Sequence, residues 1–198
     1  MVKLKLLIFD FGDVIGHFDI HHFDRFIKVN SGSSDKIRSF FKRNKPYFDR
    51  GHISERSFWI NLGKTIESDI PWRAIAKNNQ KNLMIDYRMV NLIKTIPLTK
   101  ILLSNMDKTT VSQIKKEIDL QEIFDEVIFS CDIMKDKLDW DILNNICKKY
   151  NLNRKQVLFI DDFLGNIEKA NKFGFQTIQF KNYELLLKEM AELKILQR

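Results

Sequence analysis

The feature that most constrains the fold is a regular alternation of short apolar runs with helix-like segments, which begins near residue 91. Strand-like stretches are KILLSN, EVIFSCD, QVLFIDD and FQTIQF. Segments with helical spacing lie around 89–94, 109–117, 139–150 and 166–173, with a last one from Tyr183. Strand and helix in turn predict a parallel sheet covered on both faces, so we expect an α/β protein with a doubly wound sheet.

Residues 17–90 have a different pattern of apolar residues. They contain no run of β-branched residues and no hairpin dipeptide, but they show helical spacing. Examples of that spacing are Phe23, Phe26 and Ile27, followed by Ile37, Phe40 and Phe41. We therefore predict a small helical domain over 17–90, inserted into a core formed by 1–16 and 91–198.

The positive charge is concentrated in the same segment. The net charge of the chain is +7, and residues 17–90 carry +6 of it. Clustered side chains such as Lys42, Arg43 and Lys45 could attract a phosphorylated ligand or a nucleic-acid backbone. A solvated helical surface is the favoured interpretation, because charge runs usually face solvent, and we do not expect a nucleic-acid partner.

The cysteine content and the first apolar run indicate the cellular location of the protein. Only Cys131 and Cys147 occur, without metal-ligand or disulfide-framework spacing, so both are expected to be reduced thiols. The first apolar run reaches an acid after four residues, too short for a signal segment or a membrane span. We expect a cytoplasmic protein with no membrane partner.

Each of four apolar runs stops at a polar side chain. LLIF ends at Asp10, ILL at Ser104 and Asn105, VIF at Ser130 and Asp132, and VLFI at Asp161 and Asp162. Parallel strands of a doubly wound sheet open their carboxyl ends on one crevice, where ligands bind. Three carboxylates gathered there would repel one another unless a hard cation bound them, and all-oxygen ligation suits Mg²⁺.

These stretches resemble a known family. FDFGDVI, LLSN, SCDIMKDKLDWDIL and FIDDFLGNIEKANKFGF resemble, in this order, the four motifs of the haloacid dehalogenase-like superfamily of hydrolases. FDRGHISERSFW, residues 48–59, is similar to a stretch in the α-D-glucose-1-phosphatase-like branch. The resemblance spans residues 4–180 and implies a Rossmann-like core with a helical cap inserted after the first strand.

The resemblance also implies a metal-assisted nucleophile. Asp10 would attack phosphorus and form an aspartyl-phosphate. Mg²⁺ would be held by Asp10, the backbone carbonyl of Gly12 and Asp162, with Asp161 beside it directly or through water. Asn166 follows Asp162 by four positions and is expected to support that acid from the first turn of a helix, although an ordinary amide on a helix face is equally compatible.

Three further residues are expected to bind the transferring phosphoryl group. They are the Ser104 hydroxyl, the backbone amide at Asn105, and the charge of Lys137. The backbone at Gly12 is expected to lie against the substrate as well. The family pattern usually has proline after this lysine and glycine three positions before it, where this chain has Leu138 and Met134.

Gly12 is the main departure from the family pattern. Most phosphatases of the superfamily have a second aspartate at this position, which protonates the leaving group. General acid catalysis is typically worth about 10² to 10⁴ in rate, so hydrolysis of alkyl phosphates is expected to be slow. His17 or Asp13 could substitute as acid and base, with a turn role favoured for Asp13. A zinc site at His17 and His21 is not expected, because no acidic third ligand accompanies them.

Two functions from different classes follow. The first is a Mg²⁺-dependent phosphatase acting on a small phosphorylated metabolite, with a sugar phosphate suggested by the branch. The alternative is a catalytically weak or inactive member that binds a phosphorylated ligand or partner. A dehalogenase is a weaker third interpretation, because Gly12 offers no contact for a halide. The oligomeric state stays open, although the apolar stripe of Leu186, Met190 and Leu193 favours packing on the sheet over a dimer seam.

Overall fold

The computed structural model describes residues 2–18, 25, 34–80 and 83–196. The strands are β1 (Leu6–Phe9), β2 (Gly16–Phe18), β3 (Leu83–Ile85), β4 (Thr99–Ser104), β5 (Glu126–Phe129), β6 (Val157–Asp161) and β7 (Gln176–Gln179). The helices are α1 (Ser34–Asp49), α2 (Glu55–Thr65), α3 (Trp72–Gln80), α4 (Tyr87–Thr95), α5 (Lys108–Glu117), α6 (Ser130–Ile133), α7 (Trp140–Lys149), α8 (Leu164–Phe173) and α9 (Tyr183–Glu192).

Five strands form one parallel sheet in the order β5-β4-β1-β6-β7. The strand β1 is central, and it pairs with β4 on one side and β6 on the other. The strand order changes direction at β1, since the chain builds outward from it to β4 and β5 and then returns to place β6 and β7 on the other side. The predicted doubly wound α/β sheet is confirmed, and its switch point lies beside the end of β1.

Alternation along β1 divides the core into two layers. Leu7 and Phe9 pack on one face of the sheet with helices α4, α5 and α9, while Leu6 and Ile8 pack on the other with α7 and α8. Because both faces are covered, every residue of β1 is buried and the strand reads as a continuous apolar run rather than an alternating one. The stripe on α9 packs on the sheet as expected, with Leu186 and Met190 fully buried.

Helices α1, α2 and α3 share a separate core dominated by aromatic side chains. Phe48 stacks on Phe58 with ring centroids 4.2 Å apart, and Phe40 and Trp59 meet the same Phe58 ring edge-on. The predicted helical cap is therefore present after the first strand. The exact division at residues 17 and 91 stays a prediction, and the expected helical spacing at Phe23 falls outside the described residues, as does that at 26 and 27.

A two-stranded antiparallel ribbon flanks the cap and is absent from the sequence-based expectation. In it β2 pairs with β3, with His17 opposite Met84. Each strand has only three residues and the two are far apart in the chain, so neither periodicity nor a hairpin turn signals them. Among the helices in the described part of the chain, none is long and apolar enough to cross a membrane. The expected cytoplasmic location stays a prediction.

Candidate active site

Two adjacent strands bring three carboxylates to one edge of the sheet. Asp10 follows β1 directly, Asp161 is the last residue of β6, and Asp162 comes next. Each offers an oxygen within 4.8 Å of the others. Asp161 is fully buried and Asp10 is only 7% exposed, so these charges are largely removed from water. The convergence expected from the strand-end pattern is therefore present for β1 and β6.

Lys137 inserts its ammonium group between two of these acids. Its Nζ lies 2.8 Å from Asp10 Oδ2 and 2.7 Å from Asp161 Oδ2, and the side chain is 3% exposed. Burial alone would lower the pKa of Lys137, but the Asp10 and Asp161 carboxylates outweigh it and raise the pKa above its usual range. The lysine is therefore a permanently charged group that touches the proposed nucleophile.

The three acids still repel one another despite this lysine. Burial, followed by the charges of Asp161, Asp10 and Asp13, raises the pKa of Asp162 to about 6. Burial likewise raises the pKa of Asp161, with Lys137 opposing it. When all three acids are ionised, one ammonium leaves two negative charges uncompensated, and the donors are all oxygen. This set of residues fits a divalent hard cation such as Mg²⁺.

Backbone and amide donors fix the orientation of the two buried acids. Phe11 N–H donates to Asp10 Oδ1 at 2.8 Å, and Phe163 N–H donates to Asp161 Oδ1 at 2.9 Å. The Asn166 amide reaches both oxygens of Asp161, at 3.0 and 3.1 Å. Asn166 was expected to support Asp162, and that expectation is corrected. Asp162 precedes the helix that begins at Leu164, so helical spacing does not relate Asp162 to Asn166.

The end of β4 supplies the polar groups on the other side of β1. Ser104 is its last residue and is buried, with Asn105 immediately after it. The Asn105 side chain accepts a hydrogen bond from Lys137 N–H at 2.8 Å and donates to Asp136 Oδ2 at 3.0 Å. Asn105 thus connects the end of this strand to the loop that carries the lysine, a role that the sequence pattern did not indicate.

Gly12 lies at the start of the turn that leads into the ribbon. In the described part of the chain no atom lies within 4 Å of a Cβ built on it, so these residues leave open space where the family usually has an acidic side chain. The Asp13 carboxylate lies 3.3 Å from His17 Nδ1, and both side chains are substantially exposed. Asp13, His17 and Asp162 line the same cavity of about 470 Å³. His21 lies outside the described residues.

Two residues of this region were missed by sequence reasoning. Asp136 accepts hydrogen bonds from Leu138 N–H, from Asn105 and from Arg50 Nη2, each at 3.0 Å. Burial opposes ionisation of Asp136, but these donors outweigh it and lower its pKa. Arg50 belongs to the segment that follows α1, far away in the sequence, and an isolated arginine there carries no local signal of such a contact.

Comparison with protein-family models identifies one family. A family model described as haloacid dehalogenase-like hydrolase matches residues 4–174. A comparison with curated proteins found no match.

Solved structures resemble the chain over nearly its whole length. A protein from Porphyromonas gingivalis, described as a predicted HAD-like family hydrolase, has a TM-score of 0.80 and 22% identity, over 99% of this chain and 100% of that one. A HAD family enzyme from Bacteroides thetaiotaomicron, in complex with magnesium and inorganic phosphate, has a TM-score of 0.78 and 17% identity, over 93% and 99%. L-2-haloacid dehalogenase from Xanthobacter autotrophicus has a TM-score of 0.62 and 17% identity, over 96% of this chain and 83% of that one. At such identities these likenesses establish the fold.

Proposed function

Because the chain belongs to the haloacid dehalogenase-like hydrolases, we propose that it is a Mg²⁺-dependent phosphatase acting on a small phosphorylated metabolite. The observation that carries the proposal is the contact of the Lys137 ammonium with Asp10, within a cluster that also contains Asp161 and Asp162. The magnesium and phosphate bound to the B. thetaiotaomicron enzyme support the same reaction type. A sugar phosphate, and membership of the glucose-1-phosphatase-like branch, are part of the proposal.

The hydrogen bonds of the acids indicate which of them would bind Mg²⁺ directly and which would bind it through water. Asp161 already accepts hydrogen bonds from Lys137, Asn166 and a backbone N–H, which favours an indirect role through water. Asp10 and Asp162, with the Gly12 carbonyl, are then the proposed direct ligands. When bound, the ion neutralises charge on the phosphoryl oxygens and lets a carboxylate approach phosphorus.

The residues of the chain perform two displacements in the proposed reaction. An Asp10 oxygen forms a bond to phosphorus while the bond from phosphorus to the leaving oxygen breaks, which gives an aspartyl-phosphate. Lys137, the Ser104 hydroxyl and the Asn105 backbone amide stabilise the transferring phosphoryl oxygens. A water oxygen then bonds to phosphorus and gives its proton to the group that protonated the leaving oxygen, the bond to Asp10 breaks, and inorganic phosphate leaves.

The leaving oxygen needs a proton that Gly12 cannot supply. His17, oriented by Asp13, is the proposed substitute, because both line the cavity that contains Asp162. Water entering the open space beside Gly12 is the alternative donor. A His17→Gln variant distinguishes them: the loss of turnover should be large for alkyl phosphates and small for an activated aryl phosphate if the imidazole donates.

The test of the proposal is hydrolysis of p-nitrophenyl phosphate with Mg²⁺. Its leaving group needs little protonation, so the absence of an acid at Gly12 matters least. Asp10→Asn should abolish turnover, whereas Asp69→Asn, a matched change at an exposed cap acid, should leave it unchanged. Equal turnover by wild type and Asp10→Asn would refute the proposed nucleophile.

The second candidate is a protein that binds a phosphorylated ligand with little turnover, and Gly12 is the observation that favours it. It predicts calorimetric binding of inorganic phosphate in the presence of Mg²⁺, together with no hydrolysis of any member of a panel of phosphorylated metabolites. Turnover that depends on Asp10 would exclude it.

A further inference from the structure

The loop that carries Lys137 is held by side chains from three separate parts of the chain. Asp136, one residue before the lysine, is the centre of this arrangement. It accepts from Asn105 at the end of β4, from Leu138 N–H within the loop, and from Arg50 in the cap. Asn105 in turn accepts from the N–H of Lys137. A continuous chain of contacts therefore leads from a cap arginine to the backbone of the buried lysine.

The residue after the lysine explains why this loop needs such contacts. The N–H of Leu138 donates to Asp136 Oδ1 at 3.0 Å, a bond that a proline at the same position could not form. Proline would instead restrict the backbone through its ring. With leucine here, hydrogen bonds to a charged acceptor replace that covalent restriction. Met134, with φ at 54°, shows that the loop also contains a left-handed turn at a residue other than glycine.

The backbone around Arg50 is fixed against the core independently of its side chain. Ser130 Oγ, at the end of β5, donates to the Asp49 carbonyl at 2.5 Å and accepts from Met106 N–H at 2.9 Å. Gly51 has a φ of 73°, and a Cβ on it would lie 3.2 Å from the Cys131 carbonyl oxygen. The Arg50 guanidinium therefore reaches Asp136 from a segment whose backbone is fixed against the core.

We propose that Arg50 is a positioning residue for Lys137 and Asn105, acting through Asp136. The inference rests on the proposed function for its catalytic consequence, since it makes the placement of the phosphate-binding groups depend on a residue of the cap. The Arg50 and Asp136 side chains are 32% and 20% exposed. The pair is therefore shielded enough to orient the loop.

The experiment measures amide exchange by NMR alongside kinetics in full-length variants. In Arg50→Ala, the Lys137 and Leu138 amides should exchange about tenfold faster, as expected for loss of one charge-assisted hydrogen bond. Arg50→Lys should restore most of the protection, because the ammonium can still pair with Asp136. Arg38→Ala, at an exposed arginine of α1, should leave both amides unchanged.

Kinetics on p-nitrophenyl phosphate separate positioning from other roles. Arg50→Ala should lower kcat about tenfold and leave KM within about twofold, with partial recovery in Arg50→Lys. A raised KM at constant kcat would make Arg50 a substrate contact and overturn the inference. Unchanged exchange at Lys137 and Leu138, or an equal acceleration across the whole sheet, would overturn it as well. If the wild type has no turnover, the proposed phosphatase function fails, while the exchange data still decide the role of Arg50.

Discussion

Replacement of Gly12 by aspartate should raise hydrolysis of alkyl phosphates while leaving that of p-nitrophenyl phosphate nearly unchanged. The described residues leave room for the side chain, because none of their atoms lies within 4 Å of a Cβ at this position and the glycine does not occupy the left-handed region. The introduced carboxyl would stand two residues after Asp10, where the family usually has its proton donor. The change therefore tests whether leaving-group protonation limits this chain.

The expected gain can be bounded from general acid catalysis. Such catalysis contributes about 10² to 10⁴, which corresponds to roughly 3 to 5 kcal/mol of barrier. Burial and the neighbouring carboxylates raise the pKa of Asp162 to about 6, and the same carboxylates favour the protonated form of a new acid beside them, as a donor near neutral pH requires. We expect the lower end, about a hundredfold in kcat/KM, because the described residues place no atom within 4 Å of the introduced Cβ to orient the side chain.

The assay compares kcat/KM for glycerol 2-phosphate and for p-nitrophenyl phosphate at saturating Mg²⁺. Gly12→Asn is the matched control, since it has nearly the same size and cannot donate a carboxyl proton. The reasoning is refuted if Gly12→Asn gains as much as Gly12→Asp, or if both substrates accelerate equally. No gain in Gly12→Asp would instead show that another group, with His17 the first candidate, already protonates the leaving oxygen.

Three further outcomes are expected. A carboxyl whose pKa is raised on folding binds its proton more tightly in the folded state, so ionisation of Asp162 should lower the metal-free Tm as the pH rises from about 4 to 6. The increase in Tm on adding Mg²⁺ should become larger over the same pH range. An increase in Tm that does not depend on pH would contradict this prediction. Burial raises the pKa of Cys131 to about 11, so iodoacetamide should label it slowly at neutral pH until the protein is denatured, and fast native labelling would refute its burial. Gly51→Ala should lower stability by about 1 to 2 kcal/mol in denaturant titrations because of its positive φ, unlike Gly63→Ala, whose Cβ has no contact closer than 3.9 Å.

The sheet was predictable because its signals are local. Strands β4, β5 and β6 each have a compact apolar run, and each covering helix shows its own periodicity. Elements such as Thr99–Ser104 and Trp140–Lys149 therefore agree with expectation within one or two residues. The ribbon was not predictable, because pairing of His17 with Met84 joins three-residue strands on opposite sides of the cap. Nothing in either short segment specifies its partner.

The same distinction applies to the site. Asp10, Asp161 and Asp162 lie at the ends of strands that the sequence identifies, and the carboxyl ends of parallel strands meet at one edge of the sheet. The contact of Lys137 with Asp10 could be inferred only through the family resemblance, because a loop lysine beside Lys135 is otherwise an ordinary surface charge. The link from Arg50 to Asp136 crosses 86 positions and depends on how the cap is seated, which no local pattern encodes.

The four polar strand ends have two different structural roles: some lie at the candidate active site, and one attaches the cap to the core. Those of β1 and β6 bring Asp10 and Asp161 together, and that of β4, the neighbour of β1, carries Ser104, but Ser130 at the end of β5 is completely buried and bonds to the carbonyl of Asp49. Because β5 lies at the edge of the sheet, separated from β6 by both β4 and β1, its end is displaced from the acids and meets the cap instead. A fourth strand end in the same crevice therefore serves attachment, and this attachment places Arg50 against Asp136. If so, Ser130→Ala should accelerate exchange of the Lys137 amide through Arg50, and the effect should vanish when Arg50 is already alanine; additive effects of the two changes would contradict the connection.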